Sequence, residues 1–303
     1  MEFRNENIIL SKNKTKNYIK YENFDFRLVP LSDSISFSKG GNSNVFKIRD
    51  PNDAFEERII KICKSPLESN KNRDKKRIKR FDREIQALKL ALAEEKNYII
   101  KYYFDSNIKI ENKSFKFYVM EKGETDLKEF ILSTKLSIQE KVLFCKQIIQ
   151  SLNELHSLDI YHRDIKPDNI FFISEKIWKI GDLGLISFRH EDELPDDQNE
   201  MIGPRGWLSP EAMNKFLTNE INTEFKFDCI IDDKSDVFQL GKLFWFIFQC
   251  NVPIGQLKRN DFHIEDDDIF ELLFWMLYHS KEKRPDLKDV NEKFKPVASK
   301  YIA

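Results

Sequence analysis

The chain has 303 residues, of which 33% are charged and 41% are hydrophobic, and its formal net charge is −1. This composition predicts a soluble globular protein long enough to bury a sizeable core, and it argues against a general electrostatic attraction to nucleic acids or membranes. The four cysteines, Cys63, Cys145, Cys229 and Cys250, form no C-x-x-C pair, so we expect reduced thiols and a cytoplasmic location instead of a zinc or disulfide framework.

Residues 1–35 are polar with isolated apolar positions, and they carry no catalytic motif. We expect a strand-like or frayed N-terminal extension there, with a regulatory or docking role as the alternative. The N-terminus lacks the apolar core of a signal peptide. The longest apolar run, Leu243–Phe248, is far too short to cross a bilayer. The sequence therefore predicts no membrane association.

The stretch Ser36–Ile48 predicts two short strands around a turn of small residues that includes Gly40 and Gly41. Small residues let backbone N–H groups approach a phosphate closely. The same pattern is typical of an ordinary hairpin turn, so these residues alone leave both interpretations open.

A β-branched run at Ile59–Ile62 predicts the next strand. Lys61 lies inside this strand, sixteen residues after Val45, and a lysine in such a place needs a partner for its ammonium group. Lys64 is the alternative candidate for the same role. A polar linker with a basic cluster follows at Pro66–Arg80, which predicts a solvated loop or helix start, with a docking site for an acidic partner or a phosphate as the alternative.

Apolar residues recur at helical spacing from Phe81 to Leu92, and Glu84 lies close to that apolar stripe. Two strands are predicted next, at Tyr98–Phe104 and Phe115–Met120. The following segment, Ser137–Leu158, predicts a long amphipathic helix, because its first residue is a serine with a glutamate three positions later, which is the pattern of a capping box.

The segment 160–184 carries the densest group of chemically active side chains. Two carboxylates, Asp164 and Asp182, flank Lys166 and Asn169. One carboxylate can accept a hydroxyl proton, while a second carboxylate and a carboxamide supply the hard oxygen ligands that Mg²⁺ prefers. A lysine can neutralise the charge of a phosphoryl group as it moves. The segment therefore predicts phosphoryl transfer to a hydroxyl group.

The stretch between Phe188 and Leu208 contains at least six carboxylates but no Ser, Thr or Tyr. It is followed by Ser209-Pro210-Glu211. Two later apolar runs, Leu243–Phe248 and Phe270–Leu277, are predicted to lie in buried helices.

The pattern D-x-K-x-x-N at 164–169, followed by D-x-G at 182–184, resembles the motifs of the eukaryotic-type protein kinases. The resemblance covers roughly residues 36–290. It implies an α+β, bilobal protein-kinase-like fold, with a small β-rich N-lobe that has one main helix and a larger, mostly helical C-lobe. The implied domains are an N-terminal extension at 1–35, an N-lobe at 36–122 and a C-lobe at 123–303.

The resemblance also implies roles for single residues. Asp164 would orient the substrate hydroxyl and accept its proton, and Lys166 would stabilise the transferred charge. Asn169 and Asp182 would bind Mg²⁺. ATP would be the phosphoryl donor, and the lysine at position 166 points to Ser or Thr of a protein as the acceptor.

The nucleotide would be held by residues that precede this segment. Lys61, paired with Glu84, would grip the α- and β-phosphates. Met120 would be the gatekeeper, and backbone groups of Glu121 and Gly123 would bond the adenine edge. The other nucleotide-binding positions that the resemblance implies are Gly40, Gly41, Val45 and Asp126.

Two structural contacts follow from the same resemblance. Glu211 should pair with a buried arginine, for which Arg284 is the candidate. Asp236 should brace the backbone of the catalytic loop.

Three features depart from the family pattern. Only Gly40 remains of the three usual glycines of the phosphate loop, and Ile59 takes the place of the usual alanine over the adenine. Pro204 replaces a threonine that normally bonds the catalytic Asp and Lys, and proline has neither a hydroxyl nor an N–H group. These departures place catalytic rate and substrate class in question.

Arg163 precedes the catalytic Asp, and in many kinases such an arginine is neutralised by a phosphate on the activation segment. Because this segment offers carboxylates and no hydroxyls, we predict that one carboxylate satisfies Arg163 constitutively. The alternative is that the acidic run is merely solvated.

The combined prediction is a serine/threonine protein kinase that does not need activation-segment phosphorylation. A protein substrate and a regulatory partner are expected, and no nucleic acid. Two alternatives remain: a pseudokinase that acts as a scaffold, and a small-molecule phosphotransferase.

Overall fold

The computed structural model describes residues 1–22, 24–31, 42–50, 56–173, 177–191, 196, 200–217 and 227–302. The chain forms two compact units. The first consists of Met1–Glu95 and Ile100–Lys122, and the second consists of Lys96–Ile99 and Gly123–Ala303.

The first unit is rich in β-structure. Its described strands are β1 (Glu2–Arg4), β2 (Asn7–Ile9), β3 (Tyr18–Tyr21), β4 (Phe24–Val29), β5 (Ser43–Arg49), β6 (Arg58–Cys63), β7 (Tyr102–Ile110) and β8 (Lys113–Met120). Strands β3 to β8 form one antiparallel sheet in the order β3-β4-β5-β6-β8-β7. The predicted strand at Ile59–Ile62 therefore lies inside the sheet, between β5 and β8.

Strands that precede residue 36 belong to the same unit. β4 pairs with β5, and the hairpin β1–β2 packs on the unit through Ile8 and Leu10, which are buried in its apolar core. The ring of Phe3 lies 4.8 Å from that of Phe115, and the Ile8 N–H donates to the buried Asn44 side chain at 3.0 Å. The N-terminal stretch is therefore strand-like, as its isolated apolar positions indicate.

Helix α1 spans Asn72–Ala93, so the predicted helix at Phe81–Leu92 forms and begins nine residues earlier. Asp74 lies in the first turn, where a negative charge favours the helix dipole. Its carboxylate also accepts hydrogen bonds from the hydroxyls of Ser65 and Ser69. The basic cluster therefore forms the first turns of the helix.

The predicted strand at Tyr98–Phe104 is wrong at its start, because β7 begins at Tyr102. The preceding backbone pairs elsewhere: Ile99 forms a bridge with Ile180, and the Ile180 N–H donates to the Tyr98 carbonyl at 2.9 Å. Sequence periodicity detects an extended segment but does not identify the strand with which it pairs.

The second unit is mostly helical. Its helices are α2 (Leu127–Ser133), α3 (Ile138–Ser157), α4 (Pro210–Leu217), α5 (Asp233–Gln249), α6 (Asp267–Met276) and α7 (Leu287–Tyr301), in the part of the chain that the structure describes. Its short strands there are β9 (Thr125–Asp126), β10 (Ile160–Tyr161), β11 (Ile170–Ile173), β12 (Ile177–Ile180) and β13 (Ser187–Phe188).

The capping box predicted at the start of the long amphipathic helix is confirmed. The Ser137 hydroxyl accepts from the Glu140 N–H at 3.3 Å, and the Glu140 carboxylate accepts from the Ser137 N–H at 2.8 Å. Helix α5 is buried along most of its length, as its apolar run predicts. The β-rich first unit with its long helix and the helical second unit confirm the predicted α+β class.

None of the helices in the described ranges is both long enough and apolar enough to cross a membrane.

Candidate active site

A buried ion pair lies in the first unit. The Lys61 Nζ is 2.7 Å from Glu84 Oε1, and the two side chains are 9% and 2% exposed. The pair forms because β6 carries the lysine inside the sheet and α1 packs against that strand. The lysine that the sequence places in a β-branched run therefore has the partner that its burial demands.

Tyr118 joins this pair, and the sequence prediction missed it. Its hydroxyl donates to the same Glu84 Oε1 at 2.9 Å. Tyr118 lies directly opposite Lys61 in the register of β6 and β8, so the two side chains are cross-strand neighbours on one face of the sheet. The pairing of Lys61 with Tyr118 is therefore the signal that could have identified Tyr118, but it is visible only once β6 and β8 are aligned.

The segment 160–184 of the second unit, which carries the predicted catalytic residues and is called the catalytic segment below, is bonded by α5. The Asp236 carboxylate accepts from the backbone N–H groups of His162 and Arg163, each at 2.7 Å, which confirms the predicted brace. Arg163 has a φ of +69°, a left-handed conformation that is rare outside glycine. A buried carboxylate with two charge-assisted bonds stabilises this conformation.

Asp164, Lys166 and Asn169 form one cluster. Asp164 Oδ2 accepts from Lys166 Nζ at 2.7 Å and from Asn169 Nδ2 at 3.0 Å. The same Asn169 nitrogen also donates to the Asp164 carbonyl at 2.8 Å. Asp164 Oδ1 is buried and has no hydrogen-bond partner among the described residues. Such an oxygen is typical of a site that receives its hydrogen bond from a bound substrate.

Burial raises the pKa of Asp164 above its usual range, while the nearby Lys166 ammonium lowers it. The charge of Asp182 also raises this pKa. The cluster therefore holds a carboxylate whose proton affinity is increased by its surroundings, which suits a group that accepts a proton.

Asn169 and Asp182 are the residues that the sequence predicts as Mg²⁺ ligands. Because the Asn169 amide nitrogen is used by Asp164, its Oδ1 is the atom left for a cation. Asp182 is exposed and has a φ of +54°. A carboxylate and a carboxamide oxygen fit a small hard cation. The described residues contain no cluster of three or more His, Cys, Asp or Glu side chains that suits a metal.

The predicted nucleotide positions of the first unit are only partly described. Gly40 and Gly41 lie outside the described residues. Val45 is paired with Lys61 across β5 and β6, and Met120 is paired with Ile59 across β6 and β8. Two predicted positions, at Val45 and Met120, therefore lie on strands adjacent to the lysine strand.

The residues around 121–126, where the chain passes from the first unit to the second, include predicted nucleotide-binding positions that already have contacts within the protein. The Glu121 N–H donates to the Lys101 carbonyl at 2.9 Å. A Cβ on Gly123 would lie 2.9 Å from the Phe171 Cβ, so this position requires glycine. Asp126 caps α2, because its side chain accepts from the Glu129 N–H at 2.8 Å.

Arg163 has a carboxylate partner in the acidic segment. Its guanidinium pairs with Asp196, and the two side chains are 1% and 2% exposed. Lys215 adds a second cation, with its Nζ 3.5 Å from Asp196 Oδ2. The structure therefore identifies Asp196 as a carboxylate that neutralises Arg163, which the sequence anticipates only as one of several.

The end of that segment is anchored as predicted. Glu211 forms a two-pronged ion pair with Arg284, at 2.9 and 3.2 Å, and both side chains are buried. The Ser235 hydroxyl donates to Glu211 at 3.0 Å. A bidentate pair of this kind fixes direction as well as distance.

The comparisons with known proteins agree with this geometry. The family model described as "Protein kinase domain" matches residues 36–303, and the chain therefore belongs to the protein kinase family. The serine/threonine-protein kinase cds1 of Schizosaccharomyces pombe is 27% identical over 251 residues, which are 82% of this chain and 50% of that protein.

Two further relatives show the breadth of the match. The human receptor-interacting serine/threonine-protein kinase 1 is 26% identical over 54% of this chain and 27% of its own length. The mouse dual specificity protein kinase TTK is 24% identical over 72% of this chain and 24% of its own length. The chain thus spans half or less of each of these relatives.

Proposed function

We propose that the protein transfers the γ-phosphoryl group of ATP to a Ser or Thr hydroxyl of a protein substrate. The observation that carries this proposal is the cluster of Asp164, Lys166 and Asn169, in which one buried carboxylate oxygen is left without a partner. The family match supports phosphoryl transfer. The names of two of the relatives above, in S. pombe and human, support Ser/Thr as the acceptor.

In this mechanism Asp164 orients the substrate hydroxyl and accepts its proton through Oδ1. Lys166 stays hydrogen-bonded to Oδ2 and stabilises negative charge on the transferred group. Asn169 and Asp182 would hold Mg²⁺, which supplies charge neutralisation at the phosphates. Lys61, held by Glu84, grips the α- and β-phosphates.

The remaining predicted positions are part of the same proposal. Backbone groups of Glu121 and Gly123 bind the adenine, Met120 is the gatekeeper, and Asp126 contacts the ribose. Gly40, Gly41 and Val45 cover the phosphates. The domain limits at 36 and 122 are also kept as proposals. The buried free thiols of Cys63 and Cys145 support a reducing, cytoplasmic location, and a regulatory partner remains expected.

We further propose that the enzyme is active without phosphorylation of its activation segment. The buried pair of Arg163 and Asp196 supports this, because the carboxylate supplies a negative charge of the kind that a phosphate would bring to Arg163. The hydroxyl-bearing residues that flank the segment, Ser187 and Ser209, are both buried. A kinase would need local unfolding to reach either of them.

A radiolabelled ATP assay with Mg²⁺, a protein acceptor and a panel of small-molecule acceptors tests the function. Labelled protein is the expected result. Labelling of small molecules alone indicates a small-molecule phosphotransferase, and no transfer at all indicates a pseudokinase. Asp164→Ala should abolish transfer while ATP still binds by calorimetry, and retained transfer would refute the role of this residue.

Phosphorylation independence has a separate test. Protein treated with a phosphatase, and shown by mass spectrometry to carry no phosphate at Ser187 or Ser209, should keep its full rate when assayed immediately. Activity that depends strictly on phosphate at either serine contradicts the proposal.

A further inference from the structure

Among the described residues, the peptide groups around Asp164 are held by side chains and not by a neighbouring strand. The Asp236 carboxylate accepts from the N–H groups of the two residues that precede Asp164. The Asp164 N–H itself donates to His162 Nδ1 at 3.2 Å. These contacts give hydrogen-bond partners to the N–H groups of residues 162–164. They leave the Arg163 carbonyl and the Ile165 N–H, which belong to the two residues on either side of Asp164.

A single side chain of α5 satisfies both of these groups. Gln239 Oε1 accepts from the Ile165 N–H at 2.9 Å, and Gln239 Nε2 donates to the Arg163 carbonyl at 3.2 Å. The side chain is 2% exposed. Only one orientation of the amide satisfies both bonds, since the oxygen must face the N–H and the nitrogen must face the carbonyl.

This bonding pattern is that of a neighbouring β-strand. In a parallel pair, one residue bonds through its N–H and its C=O to the residues on either side of its opposite number. The Gln239 amide does the same to the residues on either side of Asp164. It therefore restrains the backbone dihedrals of Asp164, and through them the direction of its carboxylate.

The end of the activation segment covers this contact. A Cβ on Gly203 would lie 3.5 Å from Gln239 Nε2 and 3.4 Å from the Arg163 carbonyl oxygen, and Gly203 has a φ of +97°. The backbone thus passes close to the amide and shields it. The next residue, Pro204, brings no hydroxyl to the catalytic side chains.

We propose that Gln239 is a positioning residue of the phosphoryl-transfer site, which holds Asp164 through both flanking peptide groups in a protein that has Pro204 in place of a hydroxyl-bearing residue. This inference rests on the proposed kinase function. Gln239 acts through the backbone and contacts neither substrate nor nucleotide.

The test compares Gln239→Met with the matched control Gln147→Met. Gln147 lies in α3 of the same unit, and its Oε1 also accepts one backbone N–H, that of Trp178, at 3.0 Å. Methionine keeps the length of each side chain and removes its hydrogen bonds. Steady-state kinetics with ATP and a protein acceptor are measured for both variants, together with hydrogen exchange at the Ile165 amide.

Gln239→Met should lower kcat by about 10- to 100-fold, because small misplacements of a catalytic group have effects of this size. Its KM for ATP should stay within about twofold, and the Ile165 amide should exchange faster, whereas Gln147→Met should change none of these. A kcat close to that of the wild type in Gln239→Met overturns the proposal. If this variant does not fold, Gln239→Glu replaces it, because a glutamate keeps the acceptor for the Ile165 N–H and loses the donor to the Arg163 carbonyl. Its kcat should fall by about tenfold or more while the Ile165 amide stays protected, and a kcat close to that of the wild type again overturns the proposal.

Failure of the proposed function is recognised separately. If the wild type transfers no phosphoryl group, the kinase function falls, and the exchange measurement alone decides the positioning. Unchanged protection of the Ile165 amide in Gln239→Met then overturns the inference, and lost protection supports it.

Discussion

Glu84 holds two donors on one carboxylate oxygen, the Lys61 ammonium and the Tyr118 hydroxyl. The Tyr118 ring also packs against Phe81, at 5.3 Å between centroids. The hydroxyl can therefore be removed without loss of the ring contact. A Tyr118→Phe substitution therefore tests the hydrogen bond to Glu84 separately from the packing of the ring.

We expect Tyr118→Phe to raise the KM for ATP by about tenfold, because a hydrogen bond to a charged group contributes about 1.5–3 kcal/mol. A less restrained Glu84 would hold Lys61 less firmly in place. Steady-state kinetics at varied ATP concentration measure this effect.

The matched control is Tyr301→Phe. The Tyr301 hydroxyl also donates to a carboxylate, that of Asp266, at 2.5 Å, and it lies in the last helix of the other unit. This control should leave the KM for ATP unchanged. An unchanged KM in Tyr118→Phe as well would show that the Tyr118 hydroxyl does not help to position Glu84 for nucleotide binding.

At the scale of elements, one side of α5 carries three polar side chains that bond the backbone of other segments. Asp236, Gln239 and Lys242 are spaced by three residues, so they lie on one side of the helix. The first two bond the catalytic segment, and Lys242 Nζ donates to the Gly206 carbonyl at 2.7 Å. One buried helix therefore fixes both the catalytic segment and the end of the activation segment.

The N-terminal hairpin is the element for which we predict the largest effect on stability. Removal of residues 1–10 exposes core that Ile8 and Leu10 now cover. Burial of each such side chain contributes about 1.5–3 kcal/mol, so the free energy of unfolding should fall by about 3–6 kcal/mol. Urea unfolding measures this loss.

Glu6→Ala is the control for this truncation. Glu6 pairs with Arg73 and Arg77 of α1, but its side chain is 47% exposed. An exposed ion pair contributes less than about 1 kcal/mol, so this variant should be nearly as stable as the wild type. A truncated protein with wild-type stability would mean that the hairpin contributes little to the first unit.

At the scale of the whole molecule, Asp196 ties the acidic stretch between Phe188 and Leu208 to the catalytic segment. Asp196 lies between two cations, Arg163 and Lys215, and its pair with Arg163 is buried on both sides. The chain thus supplies a negatively charged partner for Arg163, and the proposed independence from phosphorylation rests on this pair.

We expect Asp196→Asn to lower the free energy of unfolding by about 3 kcal/mol, because it leaves a buried guanidinium without its counter-charge. The activity should fall about tenfold or more, since Arg163 immediately precedes Asp164. Thermal unfolding and kcat are the measurements.

The control is Asp159→Asn, which removes a carboxylate that is 54% exposed and pairs with Arg189 at 3.3 Å. Asparagine tolerates the φ of +56° at this position. Stability and kcat should be close to those of the wild type. Equal effects of the two substitutions would show that the burial of Asp196 has no special consequence.

Much of the fold was predictable from local patterns. The capping box of α3, the buried strand around Lys61 and the buried α5 each follow from residue type and spacing, because burial and capping leave a regular mark on the sequence. The start of β7 was misplaced, because the backbone before it pairs with β12, and such pairing between distant segments has no local signature.

The sequence by itself indicated the chemistry. The residues at 164, 166, 169 and 182 lie close enough together in the chain to be recognised as one motif of phosphoryl transfer. Only the tertiary structure decided which carboxylate pairs with Arg163. It also decided that the Tyr118 hydroxyl bonds Glu84 and that Gln239 bonds the backbone beside Asp164. The physical reason is that each of these contacts joins groups that are far apart in the chain. Their distances depend on strand register and helix packing, which residue spacing does not encode.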